Sequence, residues 1–357
     1  MPRTQHVRLA VAKKFLLARG GEGRFAGALR AFSRLDALHR RKHVRRTMLV
    51  LNVLAPVFLL IALGAAMQRT GFTSPGFLKE ANRVTYWLGL PSLLFSQLIS
   101  SYHDAHGASQ LLGVVFAATG VIILLAYLVG WMLRVPAPAL GTFVQGAFRG
   151  NLAFVGLPII FAFPDTPVSN GLSLRAAAVI VIAPTMVMYN TVAVVVLLLS
   201  QHRLGWRMIW PVVRQLATTP PLLATIAGVG CAMAGWSLPP SLDKALSALG
   251  EMALPLGLLG VGGSLVSIKL GSSWRRPLAA ALLKTMVLPL VGYALARVWG
   301  LSPVETRLIA IFLATPTAIV SYTMAVEMKG DEPIAAGTIV LAVLGSLAAL
   351  IVIIAVG

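Results

Sequence analysis

Apolar runs of about 20 residues recur along the chain from residue 48 to its end. Short loops rich in proline, glycine, serine and charge separate them. A run of that length crosses the hydrocarbon of a bilayer as one α-helix. The pattern predicts ten spans, with no soluble domain between them, at residues 49–67, 84–99, 111–133, 142–163, 176–199, 216–235, 246–268, 278–298, 308–326 and 334–356.

The fourth run, residues 141–163, is interrupted at Gly150-Asn151 and again at Gly156-Leu157-Pro158. A backbone group without a helical partner costs several kcal/mol in hydrocarbon, so a broken helix survives only where protein or a water-filled cavity surrounds it. The freed N–H and C=O groups can then hold a solute. We therefore expect one half of a transporter's substrate site here.

The chain also repeats itself at an offset of 164 residues. The matching pairs are Pro56 with Pro220, Gly64 with Gly228, Leu90-Pro91 with Leu254-Pro255, and Asn151 with Thr315, which precedes Pro316 in the ninth span. A unit with an odd number of crossings must be inverted when it is repeated. The predicted fold is an all-α polytopic membrane protein of ten transmembrane helices, arranged as two inverted five-helix repeats with broken, crossing helices 4 and 9. The repeats are residues 48–200 and 216–357, joined by a cytoplasmic loop at 201–215 and preceded by a basic extension at 1–47.

Composition agrees with this class. The chain is 57% hydrophobic and only 11% charged, with a mean hydropathy of +0.84, whereas an ordinary soluble protein has about 25% charged residues. Its one cysteine, Cys231, lies in an apolar run, which excludes a disulfide framework and a cysteine-based metal site. His103 and His106, around Asp104, have a metal-like spacing but are expected in a solvated loop. We expect no metal and no cofactor.

The net charge of +19 is concentrated in residues 1–47, which carry 13 Lys/Arg and two acidic residues. The remaining charge is spread over short loops, as in membrane proteins, and does not predict nucleic-acid binding. Three interpretations of residues 1–47 are open: a basic segment on anionic lipid, a transit-like leader, or translated upstream sequence with Met48 as the start. The third is favoured because Met48 opens the first apolar run directly.

Loop charge predicts the orientation. Eleven Lys/Arg follow the odd-numbered spans and four follow the even-numbered ones: Arg69, Lys79, Arg83, Arg134, Arg203, Arg207, Arg214, Lys269, Arg275, Arg276 and Lys329 against Arg175, Lys244, Arg297 and Arg307. The first set should be cytoplasmic, with both ends of the bundle outside. This orientation places the basic residues 1–47 outside, whereas basic segments of membrane proteins tend to stay in the cytoplasm. Either residues 1–47 are therefore not translated, or the span count is wrong by one.

Five sequence motifs, taken together, resemble those of one known family. They are MLVLNVLAPVFLLIALGAAMQRTG at 48–71, RGNLAFVGLP at 149–158, EMALPLGLLGVGGSL at 251–265, LLKTMVLPL at 282–290 and ATPTAIVSYTMAVEMKGD at 314–331. In this order and spacing the chain from Met48 onward resembles the bacterial auxin efflux carrier family. The resemblance implies ten helices in inverted five-helix repeats, a fold related to bile-acid and sodium/proton transporters, and broken helices four and nine that cross beside the substrate. It also implies organic anions as substrates, such as indole-acetate in plants and dicarboxylates in bacteria.

By motif position, Asn151 and Pro158 correspond to the family's fourth-span crossover and Pro316 to the ninth-span one. The plant carriers have an Asn-Pro pair at these positions, where this chain has Gly150-Asn151 and Thr315-Pro316. The chain therefore departs from the carriers of auxin itself at the crossover, while the role of the broken helices is unaffected.

Several side chains could form the substrate site. The amide of Asn151 can donate and accept, beside backbone freed by Gly150. Thr315, Pro316 and Thr317 form the matching break, although a simple proline kink is the alternative there. Gly156 and Pro158 are expected to shape the backbone.

Arg149 and Lys284 are the two basic residues predicted in the interior of spans and not at their ends. A charge there is a functional candidate by default. The alternative is that both reach the membrane interface with their long side chains. A desolvated Lys284 would be a proton-coupling group or an anion partner. Gln97, with Ser92 and Ser96, could face the cavity or bond within its own helix. Asn190 could contact substrate or form a helix–helix hydrogen bond.

The chain has no Walker A, HExxH or nucleophile-elbow motif, so neither an ATP-driven pump nor an enzyme is predicted. We expect a secondary active transporter that moves a small organic anion, a mono- or dicarboxylate or an auxin-like acid, across the bacterial cytoplasmic membrane as a multi-pass protein.

Expected partners are the anion, the lipid bilayer and a coupling proton or sodium ion, but no nucleic acid; a homodimer is an open alternative. Other open functions are a passive channel and a carrier for a neutral or cationic solute.

Overall fold

A computed structural model describes residues 50–101, 108–168, 171–201, 210, 220–267 and 274–356. The basic extension, most of the loop at 201–215, and the loop with His103 and His106 lie outside the described residues. The predictions for those segments therefore stay predictions.

Helices make up nearly all of the described chain. In order they are α1 Val50–Thr70, α2 Pro75–Val84, α3 Leu90–Ser101, α4 Ala108–Met132, α5 Ala137–Phe148, α6 Leu157–Phe161, α7 Leu174–Ser200, α8 Pro220–Met233, α9 Pro240–Ser267, α10 Arg275–Leu282, α11 Leu288–Val298, α12 Pro303–Ala314, α13 Val320–Glu327 and α14 Glu332–Val356. Five-residue π-helical turns join α2 to α3 at Thr85–Gly89 and α10 to α11 at Leu283–Val287, and precede α6 at Leu152–Gly156. The last of these turns forms one ten-residue helix with α6, Leu152–Phe161.

Six helices of the described chain are long and apolar enough to cross a membrane. They are α1, α4, α7, α9, α14 and the continuous α10–α11 segment, Arg275–Val298. The described residues thus form an all-helical, multi-pass membrane architecture, as the apolar runs predict.

The second helix begins at Pro75, nine positions before the predicted start of its span at residue 84, so that boundary was wrong. Ser74 caps the helix by accepting a hydrogen bond from the Phe77 N–H, at 3.1 Å. Charged residues in PGFLKEANRV end the apolar run, but Leu78 and Ala81 still bury one face. An amphipathic helix therefore precedes the apolar one.

Glycines let α1 and α9 approach at backbone distance. A Cβ on Gly262 would lie 1.8 Å from the carbonyl oxygen of Ile61, and one on Gly64 would lie 2.0 Å from that of Leu259. Neither position accepts a side chain, so these glycines permit the close packing of the two helices.

The short helices α5 and α12 lie inside the bundle. α5 packs against α4, α7 and α10, and α12 packs against α11 and α14. Nine of the twelve residues of each are buried, including Phe143, Phe148 and Phe312. Both helices end within the protein, where their last carbonyl groups need partners other than lipid or bulk water.

Candidate functional site

The two interrupted segments hydrogen-bond to each other. The Asn151 N–H donates to the Pro316 carbonyl at 2.8 Å, and the Ala318 N–H donates to the Arg149 carbonyl at 3.0 Å. Gly150 and Thr317 form an antiparallel bridge between these bonds. The breaks after α5 and α12 therefore form one crossover, defined here as residues 149–151 with 315–318.

Gly150 is required by the tightness of the crossover. A Cβ at this position would lie 2.6 Å from the Thr315 Oγ1 and 3.2 Å from both the Cε and the Nζ of Lys284. Distances of that size force neighbouring atoms to move. Residue 150, which faces the segment 315–318, must therefore lack a side chain.

Three side chains satisfy carbonyl groups at the ends of α5 and α12. The Thr317 Oγ1 donates to the Gly146 carbonyl at 2.9 Å, and the Thr315 Oγ1 donates to the Phe312 carbonyl at 2.7 Å. The Lys284 Nζ donates to the Leu313 carbonyl at 2.6 Å. An ammonium group also suits the negative end of a helix dipole, so Lys284, which is 0% exposed, caps the carboxyl end of α12.

Beyond the crossover, a new helix starts in each of its two chain segments. The Asn151 Oδ1 accepts a hydrogen bond from the Phe154 N–H at 3.3 Å and so caps the Leu152–Phe161 helix. α13 starts at Val320, two residues after the crossover. Helix amino ends carry positive partial charge and free N–H groups, which favour an anion nearby.

A cavity of about 510 Å³ lies beside the crossover. Most of its wall is apolar, and its polar and charged side chains come from α2, the π turn after it, the crossover and α7. The lining residues are Glu80, Asn82, Arg83, Tyr86, Leu90, Arg149, Gly150, Asn151, Leu152, Ala153, Phe154, Met186, Tyr189, Asn190, Val261, Ala318, Ile319 and Val320.

Arg149 is the buried charge of this cavity. It is only 5% exposed and donates to the Asn190 Oδ1 and the Met324 Sδ. Its guanidinium is therefore held inside the protein and does not reach out to the interface. Asn190 makes a hydrogen bond between α7 and the crossover and also lines the cavity. Its contact with substrate stays a prediction. Among the described residues, no carboxylate lies within ion-pair distance of Arg149 or Lys284.

One family model, described as membrane transport protein, matches residues 49–354. The chain belongs to this family, the auxin efflux carrier family. The resemblance predicted from the five motifs is confirmed. No curated protein sequence matches the chain closely enough to identify a relative.

Family membership makes the protein an integral, multi-pass membrane transport protein. The family is one of transporters and not of enzymes, which is consistent with the expectation that the chain catalyses no reaction. In the transporter, the crossover and the cavity beside it are the features that the broken helices create.

The ten predicted site residues have different positions in the transporter. Arg149, Gly150, Asn151 and Asn190 line the cavity. Thr315, Pro316 and Thr317 belong to the crossover and Lys284 lies beside it, but none of the four is among the lining residues. Pro158 lies in α6, past the π turn. The side chain of Gln97 lies outside the described part of the chain. Substrate binding by all ten stays a prediction.

The apolar runs did not predict the contribution of α2 and of the π turn after it, which line the cavity with Glu80, Asn82 and Arg83 and with Tyr86. A signal was present in the sequence. Leu78, Ala81 and Thr85 recur at helical spacing and are buried, with charged residues between them. A search for amphipathic helices, as well as apolar runs, would have extended the second span to include this face.

Proposed function

We propose that the protein is a secondary active transporter for a small organic anion in a bacterial cytoplasmic membrane, built from ten spans in two inverted repeats. Helix bounds support the repeat. α5 and α12 each have 12 residues and begin at Ala137 and Pro303, 166 positions apart. α2 and α9 begin at Pro75 and Pro240, 165 positions apart. These offsets lie within two residues of the offset of 164 between the sequence motifs.

The observation that carries the choice of an anion is the environment of Arg149. This buried guanidinium lines the cavity and donates to a neutral amide and a thioether. Glu80 also lines the cavity but pairs with Arg83, and among the described residues no carboxylate lies within ion-pair distance of Arg149. An uncompensated buried charge is costly, and a bound anion would offset that cost. A carboxylate suits the forked geometry of a guanidinium.

The size and lining of the cavity support a small, partly apolar molecule. Its volume of about 510 Å³ lies in the range of ligand pockets, roughly 300–1,000 Å³. Leu90, Phe154, Met186 and Val261 offer apolar contact, while the amides of Asn151 and Asn190 can orient polar groups. In a molecule with a carboxylate and an apolar or short polar remainder, the carboxylate would contact the polar side chains and the remainder would contact the apolar part of the cavity wall.

Transport would follow from motion around the crossover. The hydrogen bonds between the two strands are few, and the helices on either side are rigid elements. Rocking or sliding of one helix group against the other would expose the same cavity to each side of the membrane in turn. An ion gradient or the membrane potential would supply the driving force.

Counterflow in proteoliposomes tests this function. Vesicles loaded with unlabelled acetate, benzoate, succinate or indole-acetate are diluted into a trace of the same labelled acid, with protein-free vesicles as the control. A carrier accumulates label transiently because internal substrate returns its site to the outside. Counterflow of at least one acid supports the proposal. Equilibration without overshoot would identify a passive channel, and no uptake of any acid would reject an organic-anion carrier.

A further inference from the structure

The amphipathic helix α2 brings a pair of opposite charges to the cavity. Glu80 and Arg83 both line it, and their side chains are 64% and 73% exposed. The Glu80 Oε2 and the Arg83 Nη1 are 3.7 Å apart, one helical turn from each other. Charged groups this exposed cannot face hydrocarbon without a large cost, so this end of the cavity is its mouth, in contact with water or lipid headgroups.

The chain from the end of α2 to the start of α3 leads from this mouth to the interior. Arg83 in α2, Tyr86 in the π turn and Leu90 at the start of α3 all line the cavity. Arg83 is exposed, whereas Leu90 is 0% exposed. The buried Arg149 belongs to the same wall. The cavity therefore has an exposed arginine at its mouth and a buried arginine beside the crossover.

The pair at the mouth is weak enough to be exchanged. An exposed ion pair at a spacing of three residues contributes little to stability, because water screens both charges. A carboxylate that arrives from solution can take the place of Glu80 and form a forked contact with the guanidinium. Glu80 is also the acidic residue in the cavity wall, so its charge opposes the approach of any anion.

We propose that Arg83 forms a capture site for the anionic substrate at the mouth of the cavity, and that Glu80 competes with the substrate for Arg83. This inference rests on the proposed function, since it assumes an anion as cargo. The substrate binds Arg83 first and then moves along the cavity wall past Tyr86 and Leu90 to Arg149. Arg83 and Glu80 therefore set the apparent affinity for the anion in opposite directions.

Three matched variants test the capture site, each replacing one charge by the amide of glutamine. They are Arg83→Gln, Glu80→Gln and, as the control, Arg69→Gln, which removes an exposed charge from α1 outside the cavity wall. KM and kcat are measured by counterflow with labelled succinate and labelled benzoate, at low ionic strength and again with about 1 M KCl on both sides. At 1 M salt the Debye length is about 3 Å, so effects of exposed charges collapse.

At low ionic strength, Arg83→Gln should raise KM roughly two- to fivefold with little change in kcat, and Glu80→Gln should lower KM by a similar factor. Arg69→Gln should match the wild type, and high salt should bring all four proteins together. A shift of KM in the same direction for both α2 variants, or an equal shift for Arg69→Gln, would refute the capture site. Absence of counterflow by the wild type would instead reject the proposed function. Arg83→Glu is the second variant, and its KM should exceed that of Arg83→Gln if it remains monodisperse.

Discussion

Arg149, Gly150 and Asn151 are consecutive, yet each has a different physical task at the crossover. Arg149 supplies a buried charge, Gly150 lets the two strands touch, and Asn151 joins the strands through its N–H and caps the next helix through its Oδ1. These tasks differ in what a substitution should change. Loss of the charge should impair binding, whereas an added Cβ should impair packing.

Replacement of Arg149 by methionine should abolish most anion transport while the protein still folds. The variant loses a charged hydrogen-bond donor, which contributes about 1.5–3 kcal/mol to binding, or roughly 10- to 100-fold in kcat/KM. Arg149→Lys keeps the charge but cannot span Asn190 and Met324 with one fork, so its loss should be smaller. Counterflow kinetics of the two variants measure the difference. Equal activity of Arg149→Met and the wild type would exclude this residue from the substrate site.

Replacement of Gly150 by alanine should destabilise the protein by about 1–3 kcal/mol, because the added methyl group meets Thr315 and Lys284. Gly120→Ala is the matched control. Gly120 lies in α4 with no atom within 4 Å of its Cβ position, so alanine there should be neutral or slightly stabilising. Thermal unfolding in detergent compares the two. A smaller effect at Gly150 than at Gly120 would mean that the crossover can relax around a side chain.

At the scale of elements, the crossover depends on how side chains satisfy three helix ends. Hydroxyl groups and one ammonium group donate hydrogen bonds to carbonyls at the carboxyl ends of α5 and α12. Asn151 accepts a hydrogen bond at the amino end of the Leu152–Phe161 helix. Lys284 is unusual among these groups because its charge is fully buried. A neutral donor could satisfy the Leu313 carbonyl at a lower desolvation cost. We therefore expect the charge of Lys284 to act in transport and not in stability.

Replacement of Lys284 by methionine should preserve or raise thermal stability and abolish transport. The variant removes an unpaired buried charge, whose penalty is several kcal/mol, and leaves one carbonyl unsatisfied at about 1–3 kcal/mol. Unfolding temperature and counterflow are measured on the same preparation. A large loss of stability together with loss of transport would show that Lys284 is a structural cap. Full transport would show that its charge has no role in the cycle.

The element scale also shows what the sequence can and cannot predict. Glycine and proline in apolar runs locate the breaks, because few other residues interrupt a helix. The predicted second interruption at residues 156–158 was wrong, since Gly156 closes a π turn that continues directly into α6. The start of α2 was missed because its charges end the apolar run. The Arg149–Asn190 bond joins residues 41 positions apart with no shared periodicity, so only the folded chain reveals it.

At the scale of the whole molecule, the proposed inverted repeat and the loop charges make a joint prediction about sidedness. Exposed loops after odd-numbered spans should be cytoplasmic and those after even-numbered spans external. Arg69 and Lys244 are exposed residues from the two sets. Their sidedness is independent of the substrate, so it can be measured before the cargo is identified.

Single cysteines at these two positions, in a Cys231→Ser background, should react differently with a membrane-impermeant maleimide. Lys244→Cys should be labelled in intact spheroplasts, and Arg69→Cys should be labelled only after permeabilisation. The reverse pattern would invert the whole topology, including the side on which the Arg83 mouth opens. Labelling of both in intact cells would mean that an odd number of spans has been miscounted.

The most direct measurement of the central claim, that the crossover forms the substrate site of a carrier, is counterflow of labelled succinate and benzoate by Asn151→Ala. Asn52→Ala, at an exposed position in α1, is the control for the same chemical change. Asn151→Ala should lose counterflow of whichever acid the wild type carries, at normal levels of reconstituted protein, while Asn52→Ala retains it. Wild-type counterflow by Asn151→Ala would contradict a substrate site at the crossover.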